Sequence, residues 1–144
     1  MTKRICDIII AIITVSILIF PCVFVWIAVK LTSPGPAIYW SRRASRKGKF
    51  FMMPKFRTMS LETPEVATDK LQNPKKYLTS IGSFLRKTSL DELPQFLSVL
   101  IGNMSIVGPR PALYNQHELI AKRKELGIDT LRPGITGWAQ INGR

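Results

Sequence analysis

From Ile8 to Val29 the chain runs for 22 residues without a formal charge. As a straight helix this stretch is about 33 Å long, enough to cross the hydrocarbon core of a bilayer. A cleaved secretory signal, with Lys3 and Arg4 as its basic start, is the competing reading. The apolar run is too long for one and no small-x-small cleavage site follows it, so the segment reads as a retained membrane element. Pro21 falls near its middle, where it removes one helical hydrogen bond and crowds the preceding turn. Basic residues flank both ends, with Lys3 and Arg4 before and Lys30, Arg42, Arg43, Arg46, Lys47 and Lys49 after. The positive-inside rule draws both flanks toward the cytoplasm. A helix that enters, bends at Pro21 and leaves by the same face satisfies both flanks. A kinked single span satisfies one. The residues alone leave both topologies open.

The remainder is long enough for one small domain, giving a division into a membrane helix over 1–31 and a cytoplasmic domain over 32–144. The net charge of +12 points to anionic partners, which are phosphorylated substrates, anionic headgroups or nucleic acid. Cys6 and Cys22 would lie about 24 Å apart on a straight helix, beyond disulfide reach. With His117 as the one histidine and no cysteine cluster, a zinc site has no support.

Thr32–Pro36 is a breaker cluster that ends the membrane element. Ala37–Arg43 and Phe50–Met59 are extended in character and flank a Gly-containing turn, which predicts a basic β-hairpin. Pro54 assigns the second strand to an edge. Glu62–Pro74 reads as a surface loop. Ile81, Phe84 and Leu85 predict a short helix ending near Lys87. Leu93, Phe96, Leu97 and Leu100 predict a second, ended by Gly102. Gly108–Pro111 is a rigid turn, Leu113–Leu126 a third helix, and Arg132–Gly137 another loop. The fold class expected is therefore α/β, a membrane helix followed by a basic hairpin and short interfacial helices. The chain stops at Arg144 directly after a glycine with no closing element, so a C-terminal truncation is expected.

Three stretches carry candidate chemistry. Asp91 and Glu92 are adjacent carboxylates near a helix start, with Arg86 and Lys87 just upstream. Helix capping accounts for them in two ways. Ser89 and Glu92 fit an S-x-x-E capping box, which places Pro94 inside the helix. Asp91 as N-cap instead places Pro94 in the first turn. Catalysis is the alternative to either. Arg110 stands between two prolines that limit its backbone freedom, and its planar fork suits a phosphate. Lys55 and Arg57 share one strand face with Phe56 on the other, a pattern open to phosphate, RNA or a membrane surface.

These pieces occur in one order: the proline-containing membrane segment, K-F-R-T-M (55–59), T-S-L-D-E-L-P-Q (88–95), G-N-M-S-I-V-G-P-R-P (102–111) and R-P-G-I-T-G-W-A-Q-I-N-G-R (132–144). Together they closely resemble the bacterial sugar transferase family, the monotopic polyprenyl-phosphate phosphoglycosyl transferases. The resemblance implies a re-entrant helix in the bacterial inner membrane with the catalytic domain on its cytoplasmic face. It implies transfer of a sugar phosphate from a UDP-sugar to polyprenyl phosphate, the first membrane step of surface glycan assembly. Asp91 would be the nucleophile, with a phosphosugar–aspartyl intermediate. Asp91 and Glu92 would hold Mg²⁺, and Arg86 and Arg110 would neutralise phosphate oxygens. Lys55, Arg57, Arg132, Gln140, Asn142 and Arg144 would contact substrate. Nucleotide sugar, polyprenyl phosphate and membrane lipids are the partners implied, nucleic acid is not, and homo-oligomerisation is left open. The chain departs from the family pattern at Phe20, where serine often precedes the proline, and at Asn103, where an acid is common. Family members also continue past the N-G-R motif. Two other classes of reading remain: a membrane-tethered nucleic-acid binder, which gives Asp91 and Glu92 no role, and a non-catalytic remnant that binds lipid and assembly partners.

Overall fold

The structure is a computed structural model and describes residues 2–66 and 71–142. Helix α1 spans Thr2–Thr32, with Pro21 inside it. It is the one helix among the described residues long and apolar enough to cross a membrane. Strands β1 (Ile38–Ala44) and β2 (Phe50–Phe56) follow as an antiparallel hairpin, with Ile38 opposite Phe56 and Ala44 opposite Phe50. Its turn is closed by Ser45 N–H donating to Lys49 O at 2.7 Å. Helices α2 (Gly82–Thr88) and α3 (Gln95–Ile101) lead to strand β3 (Ser105–Val107), helix α4 (His117–Glu125), strand β4 (Gly134–Thr136) and helix α5 (Trp138–Asn142). The class is mixed α/β.

The hairpin forms because Phe51 and Met53 alternate with exposed Phe50 and Met52, giving β2 one buried face. Pro54 sits opposite Trp40, and β2 pairs only with β1 among the described strands, so the proline lies on an edge. The other edge of β1 is covered by the segment after Arg110, where Ala44 N–H donates to Ala112 O and Tyr114 N–H to Arg42 O. That pairing shortens the expected third helix. Leu113 is committed to a bridge with Arg43 and its N–H is taken by the Gln116 side chain at 2.8 Å, so α4 begins only at His117. The expected loop at Arg132–Gly137 is corrected too: Gly134–Thr136 is a strand, parallel to β3. Gly108 and Gly134 let the two strand ends approach backbone to backbone, since a Cβ on Gly134 would stand 2.1 Å from Gly108 N.

Two apolar clusters hold the domain to α1. Ala11 packs with Phe51, Met53, Val99 and Met104. Val25 and Val29 pack with Ala37, Phe56 and Leu85. Removing Leu85, which is 2% exposed, to alanine costs about 2–5 kcal/mol.

Polar contacts clasp the same two ends of α1. Near its start, Arg4 donates to Val99 O at 2.6 Å and Leu100 O at 3.0 Å, satisfying carbonyls in the last turn of α3. Asp7, 4% exposed, accepts from Ser105 Oγ at 2.8 Å and Ile106 N–H at 3.0 Å. Lys3 donates to Ser105 Oγ and to Val107 O. Just past the other end, Arg57 donates to Ser33 O and Ser33 Oγ. Both ends of α1 therefore rest on one domain.

Candidate active site

Asp91 and Glu92 lie in a 3₁₀ turn, Leu90–Glu92, between α2 and α3. Neither capping scheme is formed. Ser89 has φ 59°, a left-handed conformation, and its side chain makes no cap bond. Pro94, not Asp91, precedes the first residue of α3. The positive field at the carboxylates thus comes from side chains rather than from a capped helix end.

Those side chains converge from three elements. Lys55, from the buried face of β2, reaches Glu92 Oε1 at 2.9 Å. Arg110, from the turn after β3, reaches the same oxygen at 3.1 Å. Arg86, from the last turn of α2, donates to Thr58 Oγ1 at 3.0 Å and contributes positive charge at Asp91. Asp91 is 7% exposed and has no ion pair within 4.0 Å among the described residues.

The two carboxylates are driven in opposite directions. Burial raises the Asp91 pKa, and the Glu92 charge raises it further, against the opposing pull of Lys55 and Arg86. Burial also acts on Glu92, but Lys55 and Arg110 outweigh it and hold Glu92 below the ordinary carboxylate range. Lys55 is itself lowered by burial, with Arg110 adding to the effect and Glu92 opposing it. Adjacent acids with separated affinities for protons allow two roles in one site.

The backbone around Arg110 is held carbonyl by carbonyl. Gly134 N–H donates to Pro109 O at 2.9 Å, Arg123 to Arg110 O at 2.7 Å and Arg43 to Pro111 O at 3.2 Å. Arg43 is brought down to about 10 by burial and by the charge of Arg110. Reading the sequence passed over Arg43 and Arg123 because nothing in their spacing ties them to Arg110. The pairing of residues 112–114 along β1 and the placement of α4 bring them there.

Of the residues expected at the site, Lys55, Arg86, Asp91, Glu92 and Arg110 come together. Arg57 is placed differently, with its buried guanidinium turned to Ser33 at the end of α1, where it secures the chain into β1. Arg132 lies in the field of Arg46, Arg4 and Asp7. The amide of Gln140 is buried beside Gly137, and Asn142 donates to Trp138 O one turn back in α5. The last expected contact, Arg144, lies outside the described residues.

Asp91 and Glu92 would suit a magnesium ion that a substrate's phosphates also bind; among the described residues no group of three or more His, Cys, Asp or Glu is placed to hold a metal by itself. Both cations engage Oε1 of Glu92, which leaves Oε2 and the Asp91 carboxylate for other ligands among the described residues. Magnesium commonly takes one or two carboxylates with substrate phosphates completing its octahedron.

Several known proteins are similar to this chain in sequence. The Escherichia coli UDP-glucose:undecaprenyl-phosphate glucose-1-phosphate transferase is 49% identical over 81% of the chain and 26% of its own length. The Salmonella typhimurium undecaprenyl-phosphate galactose phosphotransferase is 37% identical over 99% of the chain and 33% of its own length. The Rhizobium meliloti exopolysaccharide production protein ExoY is 39% identical over the whole chain and 70% of its own length. The chain thus spans about a quarter to a third of the first two and over two thirds of the last. The profile of one family matches residues 1–144 throughout, and the chain belongs to the bacterial sugar transferase family.

Proposed function

We propose that this chain carries the catalytic site of an enzyme that transfers a sugar 1-phosphate from a UDP-sugar to undecaprenyl phosphate, in the making of exopolysaccharide or another bacterial surface glycan. The observation that carries the reading is the convergence of Lys55, Arg86 and Arg110 on adjacent, buried Asp91 and Glu92. Two anionic substrates need cations at the reacting phosphorus, and a carboxylate set among those cations is a suitable nucleophile.

Asp91 Oδ attacks the phosphorus that bears the sugar. The bond from that phosphorus to the UMP oxygen breaks, and UMP leaves with the electron pair. The product is an acyl phosphate, the mixed anhydride of the Asp91 carboxylate and the sugar phosphate. A phosphate oxygen of undecaprenyl phosphate then attacks the same phosphorus and Asp91 returns as a carboxylate. Lys55 and Arg110 stabilise Glu92 as an anion and face the diphosphate. Arg86, steadied by Thr58, offsets charge on Asp91 as it reacts. Asp91 and Glu92 would hold Mg²⁺, which when bound supplies positive charge to the diphosphate oxygens.

The membrane arrangement is part of the proposal. Arg4 and Asp7 at one end of α1, and Val25 and Val29 at the other, rest on the same domain. A helix that crossed the bilayer would carry those ends to opposite faces. The re-entrant form, with both ends at the cytoplasmic face, keeps all these contacts. It also places the catalytic turn at the membrane surface, where a lipid phosphate is found.

The test is release of UMP from a panel of UDP-sugars, with and without undecaprenyl phosphate. A burst of up to one equivalent without lipid, and turnover with it, is expected. No UMP from any UDP-sugar in either condition would overturn the proposal.

A further inference from the structure

Buried positions on α1 fall at Asp7, Ala11, Val25 and Val29. At 3.6 residues per turn these lie on one stripe, which continues between them through Thr14, Leu18 and Cys22. The domain covers the stripe at its two ends and leaves its middle, at Thr14, Leu18 and Cys22, half-buried. Between Ala11 and Val25 the helix rises about 21 Å. An apolar groove of about 320 Å³ fills this gap, lined by Leu18, Cys22 and Trp26 of α1 and by Phe56, Leu93 and Leu97 of the domain.

We propose that this groove seats the first isoprene units of the polyprenyl phosphate acceptor. The inference rests on the function proposed above and adds where its lipid lies. Three observations point to an amphiphile with an anionic head. The groove wall is continuous with the catalytic turn, since Leu93 and Pro94 follow Glu92 directly and both line it. Neighbouring residues of β2 divide between the two regions: Lys55 reaches Glu92, while Phe56, facing the other way, lines the groove. The polar end therefore offers Lys55, Arg86 and Arg110 to a phosphate, and the other end offers a predominantly apolar wall to a tail. The groove also runs along a helix whose outer face is apolar, with Phe20 and Phe24 more than 70% exposed, so a tail in it continues into lipid.

An acyl chain of an ordinary phospholipid is the rival occupant, and competition separates the two. The probe is a short-chain polyprenyl phosphate carrying a diazirine near the tail end, added to the full chain in nanodiscs containing phosphatidylglycerol. Photolysis followed by residue-level mapping should place the label on Leu18, Cys22 and Trp26 of α1 and on Leu93 and Leu97 of the domain. Equimolar undecaprenyl phosphate should cut labelling at least twofold, and tenfold more phosphatidylglycerol should not. Leu97→Trp, which fills the groove, should reduce labelling about tenfold. Label spread over Ile13, Phe20 and Phe24 on the outer face, or equal competition by phosphatidylglycerol, would overturn the inference. Because labelling needs no turnover, the outcome is separate from the enzymatic test. A UMP burst without groove labelling sinks the groove alone. Groove labelling without a burst supports the groove and sinks the function.

Discussion

Lys55 Nζ stands 2.9 Å from Glu92 Oε1, and each side chain is only 14% exposed. This contact joins β2 to the turn that carries Asp91, and the Lys55 charge lowers the proton affinity of both acids against the opposing effect of burial. With Lys55→Met, Glu92 keeps only the half-exposed Arg110. Removing one partner of a buried pair costs on the order of 3 kcal/mol, so the melting temperature should fall. Lys55 also opposes the upward shift of Asp91. In its absence Asp91 takes up a proton at higher pH, and the acid limb of UMP release should move to higher pH. An unmoved limb and an unchanged melting temperature together would refute the coupling.

Asp91→Asn should separate catalysis from stability. The folded pKa of Asp91 is raised, mainly by burial. Its contribution to stability is therefore fully present below the unfolded pKa and lost as pH rises through the folded one. At neutral pH the ionised side chain opposes folding. The neutral amide should leave the melting temperature unchanged or higher, and the difference from wild type should shrink as pH falls toward the ordinary carboxylate range. UMP release should be abolished, because the amide is a poor nucleophile. A stable and fully active Asp91→Asn protein would eliminate the covalent mechanism.

Much of the local structure around Asp91 and Glu92 follows from the sequence pattern. The hairpin and helices α2 and α3 follow from period-two and helical spacing of apolar residues, with Gly102 at φ 101° ending α3. Local pattern stopped short at β3 and β4, which have three residues each and pair in parallel across about 30 residues. Three residues are too few to display an alternation, and a parallel partner leaves no turn signal between the strands. The placement of Arg57 was not legible for a related reason. Strand parity put it beside Lys55, but its guanidinium bonds to Ser33, 24 residues earlier in the chain. Asp7 gave no signal because its partners, Ser105 and Ile106, lie nearly 100 residues later.

Arg110 and Arg123 should fail differently. Arg110→Lys retains charge but loses the planar fork, so kcat should fall on the order of 10²-fold, as for loss of one aimed donor. Among the described residues Arg123 reaches no carboxylate within 4.0 Å; its bond goes to the Arg110 carbonyl at 2.7 Å. Arg123→Met keeps much of the packing and frees that carbonyl. It should raise KM for the UDP-sugar more than it lowers kcat, while Arg123→Lys recovers part of the loss. Equal effects of Met and Lys on both constants would show that Arg123 does not position Arg110.

The anchoring of α1 gives the final prediction, which concerns membrane topology. Asp7 accepts two hydrogen bonds from β3 while Arg4 caps α3, and Arg57 holds Ser33 just beyond the far end. With all of these formed, cysteines introduced at Thr2 and at Ser45 should both be protected from an impermeant thiol reagent in intact cells, and both should react after permeabilisation. Cys6 and Cys22 are first replaced by serine or alanine so that they contribute no signal. Pro21→Ala restores a backbone hydrogen bond within α1 and removes the crowding that favours a bend. Asp7→Ala leaves the Ile106 N–H and Ser105 without their acceptor, which weakens the near anchor. Neither change alone should move the Thr2 site outside, because the Arg4 anchor and a cluster of cations still act on the N-terminal flank in each. Combining Pro21→Ala, Asp7→Ala and Arg4→Ala removes the helix-disfavouring proline and both the Asp7 and Arg4 anchors of the near end. In that triple variant a fraction of the Thr2 cysteines should become reactive from outside, and activity should fall by the same fraction. External labelling of the Thr2 cysteine in the otherwise unmodified chain would overturn the re-entrant arrangement, and persistent protection in the triple variant would show that the anchors do not set the topology.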